Sequence, residues 1–570
     1  MTESSIMNIC IKNNLYLLIL GIGYCFGVLS FQHYSPSQHD FYINSICYIL
    51  VAFALVLFFI KNKTRLYINN IFWLFVLCVF LIQPFINKII YTDSLIFPIA
   101  IILLITLVSI SISNYDNKRR VIYFFGYIFI LSSLLLFLTQ LIHILKILPL
   151  VELMRLPLQV QRFSGNIFQP NQAAFIFSLG IISSMFIFDE NKKVFNYICI
   201  FILSVGIAFT ASRSGLIILL SMTLFFNLYK NYDKKNSLLK IYEFYFALMS
   251  FIIGNYYYNK LAVNGIVGRI SQSLDDPRLS LLSQSWLSFV NQPLTGIGWK
   301  NFASSNFIYY NQLEWVSFTD HSHFIIGQLL AEFGVLGGLI FILFTYIVIK
   351  NLKKLKNIQD IFVFTILCIF ILYSCFEYPL WYFRYLFVFS IFLSLLDKSE
   401  AYEYKVDKDY LIYVPCLFLM ISSVYYTMQY RKVAYINDIV FDQNENQRNK
   451  MLATVNLDPI FGFSYFQDLL FFEAADRDEF LLNDKLIIGE RLVEYSPDYR
   501  FLIKQGAFLA FDNQKEKSLL YFDMACHYDF YQKCPYTIQV LTLLNNENHK
   551  KFGDIYYKVN THYNSQISKK

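Results

Sequence analysis

Two histidines spaced by one residue, where a long polar stretch gives way to an apolar one, are the pattern in this sequence most suited to moving a proton. His321-Ser-His323 stands there, with Glu332 and Gly334 in the apolar segment that follows. Such a histidine can take a proton from a hydroxyl near neutral pH; a capping or packing pair is the plainer alternative. Two arginines could meet a phosphate through bidentate hydrogen bonds. Arg213 lies in Thr210-Ala-Ser-Arg-Ser-Gly215 between apolar blocks, where reaching out to an interface also explains it. Arg278 lies in Asp275-Asp-Pro-Arg-Leu279, where pairing with either aspartate is the alternative, and the turn 291–299 follows it. Gly165-Asn-Ile-Phe-Gln-Pro-Asn-Gln172 crowds four amides around a glycine and a proline. Pro170 and Asn171 would start and cap a helix, but capping does not require Asn166, Gln169, Asn171 and Gln172 together. Glu377-Tyr-Pro-Leu-Trp-Tyr382 sets a carboxylate among aromatics of the kind found at membrane interfaces, where an acid is costly without a role. No Cys/His spacing typical of a metal site is present, so no metal and no cofactor is expected.

The elements that must position these groups are membrane helices. Of the 570 residues, 56% are apolar and 15% charged, against roughly 25% charged in average soluble chains. The apolar residues form blocks that reach the about 20 residues needed to cross a hydrocarbon core. About thirteen such blocks start near Asn14, Ile43, Leu66, Ser94, Val121, Asn171, Val194, Gly215, Ile241, His323, Ile361, Tyr385 and Tyr410. The expected fold is an all-α polytopic membrane protein. The first block lacks a small-residue cleavage site and reads as a membrane helix, not a signal peptide. Lysine and arginine cluster in loops 61–65, 117–120, 192–193, 230–240, 350–356 and 398–408, while loops 32–42, 83–93, 211–214 and 377–384 are nearly free of such clusters. The positive-inside rule puts the first set in the cytoplasm. An odd number of spans then leaves the N-terminus inside and the C-terminus outside. The formal charge of +7 is thus a topology signal, and no nucleic-acid partner is expected.

This reading gives a membrane domain over residues 1–428, with outside loops at about 144–170 and 257–322, and a polar C-terminal domain over 429–570. The tail shows helix-period apolar residues with Gly506, Ala507, Ala510 and Ala525 among them, in the manner of a helix-pair solenoid such as a tetratricopeptide array. Cys526 and Cys534 would lie in an oxidising compartment, either as a disulfide or as two buried thiols.

Taken in order, the blocks 163–172, 210–215, 278–299, 321–334 and 376–382 resemble the signatures of bacterial protein O-oligosaccharyltransferases (the PglL type, pilin glycosylases included), within the O-antigen ligase and polymerase superfamily. The strings Phe-Glu-Tyr-Pro-Leu-Trp-Tyr and Gly-Asn-x-x-Gln-Pro-Asn lean toward the protein-glycosylating branch, as do His33-Tyr-Ser-Pro36 and Asp40-Phe-Tyr42. The resemblance covers roughly residues 15–395. It implies a GT-C-like glycosyltransferase fold, a glycan donor on undecaprenyl pyrophosphate, and a Ser or Thr acceptor on an exported protein such as a pilin. It also implies a bacterial inner-membrane location with the tail in the periplasm. On it, His323 matches the essential loop-end histidine, Gln169 the glutamine of the amide motif, Tyr382 the tyrosine after Pro-Leu-Trp, and Arg213 and Arg278 the arginines. Phe324 stands where the family commonly has Asn after the histidine, and between His321 and His323 we take His323.

The expected mechanism follows. Arg213 and Arg278 neutralise the departing pyrophosphate, and His323 takes the proton of the acceptor hydroxyl. Gln169, Asn166 and Asn171 orient the donor, while His321, Glu377 and Tyr382 complete the substrate site. A ligase or polymerase acting on a lipid or sugar acceptor is the nearest alternative. A transporter is remote, because the polar residues crowd one face and no internal repeat is visible.

Overall fold

The computed structural model describes residues 3–31, 40–60, 64–157, 160–188, 192–233, 241–261, 277–396, 402–405, 410–444, 446–455 and 458–567. The stretch His33–Pro36 and the aspartates Asp275 and Asp276 lie outside the described residues. The chain is an all-α polytopic membrane protein, with a helix at each of the thirteen expected positions. In chain order the helices begin with α1 (Glu3–Leu29), α2 (Phe41–Phe59), α3 (Ile68–Ile86), α4 (Ile96–Ser113), α5 (Lys118–Ile144) and the short α6 (Leu148–Leu153). They continue with α7 (Pro170–Ile187), α8 (Lys193–Phe209), α9 (Arg213–Asp233), α10 (Tyr242–Leu261), α11 (Pro277–Asn291) and α12 (Phe302–Tyr309). Next come α13 (Ile325–Phe333), α14 (Val335–Leu352), α15 (Ile358–Ser374), α16 (Phe383–Leu396) and α17 (Tyr410–Phe441). Among the described residues, six helical stretches are long and apolar enough to cross a membrane: Phe41–Phe59, Thr92–Ser113, Lys118–Ile144, Pro170–Ile187, Val335–Leu352 and Ile412–Phe441. Five further apolar helices are shorter.

The chain divides into two compact units. The first comprises residues 1–77, 100–275 and 342–427; the second comprises 78–99, 276–341 and 428–570.

In the first unit, α7 and α16 are buried on almost every side. The sequence of α7 explains how it can be so enclosed. Gly180 stands so close to α5 that a Cβ there would lie 2.4 Å from Ser133 Oγ, and that hydroxyl in turn donates to the Ile176 carbonyl at 2.8 Å. Small residues with a local hydroxyl allow such close approach where lipid gives no hydrophobic drive between helices. Residues Arg65–Leu66 pair antiparallel with Tyr402–Lys405. Asn114 fastens to the same strand, accepting the Arg65 N–H at 2.8 Å and donating to the Arg65 carbonyl at 2.8 Å.

The second unit holds the remaining helices, α18 (Gln447–Val455), α19 (Ser464–Ala474), α20 (Leu482–Tyr495), α21 (Tyr499–Phe511), α22 (Lys515–His527), α23 (Cys534–Glu547) and α24 (His549–Ile567). Successive members pack as hairpins, and a disulfide between Cys526 and Cys534 joins α22 to α23. Segment 78–99 is tied to these helices by polar bonds. Tyr91 donates to Asp468 at 2.7 Å, Asp468 also takes a bidentate pair from Arg491 at 2.6 and 2.7 Å, and Ser464 N–H donates to Asp93 at 2.8 Å.

The span expected near His323 is divided. Helix α13 stops at Gly334, whose φ of 58° and ψ of −136° form a combination that is essentially glycine's alone, and α14 carries the membrane-length stretch. The turn 291–299 docks into this break. Val335 N–H donates to the Pro293 carbonyl at 2.8 Å, and Ile297 and Gly298 N–H donate to the Ala331 and Glu332 carbonyls at 2.9 and 3.0 Å. A Cβ on Gly334 would sit 2.5 Å from the Pro293 carbonyl oxygen. Gly334→Ala should therefore lose roughly 1–3 kcal/mol from backbone strain, with the clash in addition. Thermal unfolding of the purified variant in detergent tests this, and an unaltered midpoint would refute it.

Candidate active site

The sequence motifs assemble into two polar clusters, one in each unit. In the first, Asn171 is the hub. Standing second in α7, it accepts through Oδ1 from Arg162 Nη2 at 2.7 Å and from Ser212 Oγ at 2.8 Å, and its Nδ2 donates to Glu377 Oε1 at 2.6 Å. Arg162 also donates through Nε to the Thr210 carbonyl at 2.9 Å. One amide thus gathers the blocks 163–172, 210–215 and 376–382. The arrangement can hold a guanidinium and a buried carboxylate in fixed orientation.

The other three amides divide the work. Gln169 caps α7, its side chain accepting from Gln172 N–H at 2.6 Å. Gln172 accepts from Arg384 Nη2 at 2.9 Å and from Tyr385 OH at 3.1 Å. Asn166, fully buried, donates to the Val28 and Ser30 carbonyls at 2.9 Å each and accepts from Thr139 Oγ1 at 2.9 Å. Its amide is committed to fastening the end of α1. Tyr382 lies over the Arg384 guanidinium, with 4.7 Å between the ring centroid and Cζ, and stacks on Tyr378. Arg384 pairs with Asp40 at 3.0 Å. Arg213 is the first residue of α9, half-buried and next to Ser212.

In the second unit the blocks 278–299 and 321–334 come together around an array of charge. Arg278 opens α11. Lys300, just after the docked turn, donates through Nζ to Asp320 Oδ2 at 2.8 Å and through its backbone N–H to Glu332 Oε1 at 3.0 Å. Asp320 Oδ1 contacts His321 Nδ1. The rings of His321 and His323 are 5.2 Å apart. Both histidines precede α13 and neither caps it; the capping position is Phe324. Their loop is pinned by Ser322, whose N–H donates to Gln328 Oε1 at 2.6 Å and whose hydroxyl donates to the Phe324 carbonyl at 2.8 Å.

The electrostatics of the array follow from burial and neighbouring charge. Burial would raise the Asp320 carboxyl, but Lys300 and His321 hold it well below the usual carboxylate range. Burial lowers His321, against the raising charge of Asp320, so its neutral form prevails near neutral pH. Burial pushes the Glu332 carboxyl up to about 8, opposed by the Lys300 charge and the Lys300 N–H. The C-terminal helices reach the array as well. Tyr495, at the end of α20, and Tyr465, on α19, lie within electrostatic range of Lys300 and Asp320.

Two comparisons with known proteins bear on this geometry. A family model described as O-antigen ligase matches residues 198–342, and one described as the C-terminal part of a virulence factor membrane-bound polymerase matches residues 361–525. The chain belongs to the O-antigen ligase and polymerase superfamily. No curated protein matches it. As a superfamily member it is a glycosyl-transferring membrane enzyme with a lipid-linked glycan donor. The first match runs through Arg213, Arg278, His321 and His323, and the second through Glu377 and Tyr382 into α22.

Sequence reasoning passed over Arg162, Lys300, Asp320 and the pairing of Asp40 with Arg384. For Asp320 a signal was present, since an acid directly before His321 is visible in Thr-Asp-His-Ser-His. Lys300 lies twenty residues from Asp320 in an otherwise ordinary loop, and only folding brings the two together.

Proposed function

We propose that this protein transfers a glycan from undecaprenyl pyrophosphate to Ser or Thr hydroxyls of exported proteins, pilins among them, at the periplasmic face of the bacterial inner membrane. The observation that carries the reading is the His321–His323 pair backed by Asp320 and Lys300, because an acceptor hydroxyl needs a base and this is a base held beside a fixed carboxylate. His323 accepts the hydroxyl proton, Arg213 and Arg278 meet the pyrophosphate, and Gln169, Asn171, His321, Glu377 and Tyr382 build the substrate site, while Asn166 is occupied in holding the end of α1. The strings 165–171 and 376–382 favour a protein acceptor over a sugar.

Orientation is proposed on the same footing, with the N-terminus in the cytoplasm and residues 429–570 as a periplasmic helical part following a membrane part of 1–428. It is supported by the way the loops associate. Loops 61–65, 117–120 and 398–408 share one side by charge, and Arg65 does pair with residues 402–405 and with Asn114 beside the second of these loops. Loops 211–214 and 377–384 share the other side, and Ser212 and Glu377 meet at Asn171. A disulfide in the tail suits an oxidising compartment.

The descriptions of the two matching families favour a second reading, a ligase or polymerase whose acceptor is a lipid or a sugar. Intact mass spectrometry of exported proteins from cells with and without the gene separates the two. A discrete glycan mass that disappears with the gene, and returns with the native form but not with His323→Ala, supports a protein acceptor. Unchanged protein masses in cells that contain the lipid-linked donor, together with altered surface polysaccharide, would support the second reading.

A further inference from the structure

The second unit contains more fixed charge than a lone base requires. Asp320 is gripped from two directions, by Lys300 Nζ at one oxygen and by His321 Nδ1 at the other. The backbone on either side of this contact, at Lys300 and at His323, is in an unusual conformation. Lys300 has a φ of 63° and His323 one of 55°, a left-handed region that non-glycine residues rarely adopt. Such conformations persist where the surroundings impose them. Here the Lys300 N–H bond to Glu332 and the Ser322 N–H bond to Gln328 do so. A carboxylate on Nδ1 makes that nitrogen the N–H and leaves the lone pair of the imidazole on Nε2.

We propose that Asp320, pinned by Lys300, is a positioning residue that fixes His321 in its Nδ1–H tautomer, so that the His321–His323 pair is set to receive the acceptor's proton. This rests on the glycosyl-transfer reading above. In the step it serves, the acceptor O–H bond breaks and its proton goes to an imidazole nitrogen. The acceptor oxygen forms a bond to the sugar's anomeric carbon as the bond from that carbon to the phosphate oxygen breaks. The pyrophosphate leaves with that electron pair, and the imidazolium then returns its proton to water. His321 faces Asp320, Lys300 and His323; the wider array adds Glu332 from α13, Tyr465 from α19 and Tyr495 from α20.

The charges on the two sides of His321 act in opposite directions, which gives the proposal a signature. Asp320 raises the basicity of His321 and Lys300 lowers it. Removing the carboxylate in Asp320→Asn should carry the acid limb of the kcat profile to lower pH, and removing the cation in Lys300→Met should carry it to higher pH. Each displacement should be about one unit. Asp320→Asn should also lower kcat about tenfold or more with the KM for the donor unchanged, and Lys300→Arg should restore most of what Lys300→Met loses. The assay uses the purified full-length enzyme with lipid-linked donor, and runs a hydroxyl-bearing peptide and a sugar acceptor in parallel. Opposite displacements on either acceptor uphold the role of Asp320. If they occur on the sugar alone, the role stands and the protein-acceptor reading falls. Profiles of both variants that superimpose on the wild type overturn the role, whichever acceptor is used. Should Asp320→Asn not fold, the displacement in Lys300→Met decides alone, upward in support and absent or downward against.

Discussion

His323→Asn should lower glycan transfer by about 10²–10⁴-fold, the usual contribution of a positioned base, while the protein accumulates in the membrane at its normal level. Asparagine is the informative replacement because the backbone at this position is left-handed. Asn tolerates that conformation better than most residues, so the variant removes the base without adding strain. His323→Ala should lose as much activity and some stability in addition. The neighbouring histidine gives the internal comparison. His321 lies 5.2 Å away and is held by Asp320, so His321→Asn tests whether the carboxylate-bound ring or its neighbour carries the proton. Single-turnover transfer with preloaded donor reports the chemical step directly. If His323→Asn kept more than about a tenth of the wild-type rate while His321→Asn abolished it, the base would be His321, and Asp320 would act on the catalytic ring itself.

How much of this could be read from the sequence depends on the distance over which each feature is encoded. Spans are written locally, in runs of apolar residues, and each of the thirteen expected starts coincides with a helix. The division at Gly334 was not foreseen, because hydropathy runs on unbroken through Val335 and the break is made by a turn some forty residues upstream that packs into it. The candidate site shows the same distinction. Asn171, Glu377 and the histidines stood out because their residue types are unusual where they lie. Their partners Arg162 and Lys300 are ordinary loop residues by type and acquire meaning only from the Asn171 amide and the Asp320 carboxylate. Asn166 illustrates the converse. It drew attention as one of four amides, yet in the fold its bonds go to the backbone at the end of α1 and to Thr139. Four adjacent amides could not be ranked by composition, since each has the same donors and acceptors and only the partners differ.

The largest effect on stability should come from Arg384. Its side chain is 1% exposed, yet it carries a full charge. Its compensation is the Asp40 carboxylate at 3.0 Å, the Gln172 carbonyl oxygen at 2.9 Å, and the faces of Tyr382 and Tyr385 at 4.7 and 5.1 Å from Cζ. Arg384→Met fills a similar volume but strands Asp40, which is itself buried, and breaking such a pair costs about 3–5 kcal/mol. Asp40 also has left-handed backbone, with a φ of 59°, so Asp40→Asn neutralises it without disturbing the start of α2. The double variant Arg384→Met with Asp40→Asn should therefore be more stable than Arg384→Met alone, with most of the loss recovered. Thermal unfolding in detergent reads both, and a double variant no more stable than the single one would show that the pair is not what holds Arg384 in place. The same pair bears on Tyr382. If that ring serves chiefly to cover the guanidinium, Tyr382→Phe should keep both stability and activity, whereas Tyr382→Ala loses both. If the hydroxyl meets substrate, Tyr382→Phe should lower transfer with the melting temperature unchanged.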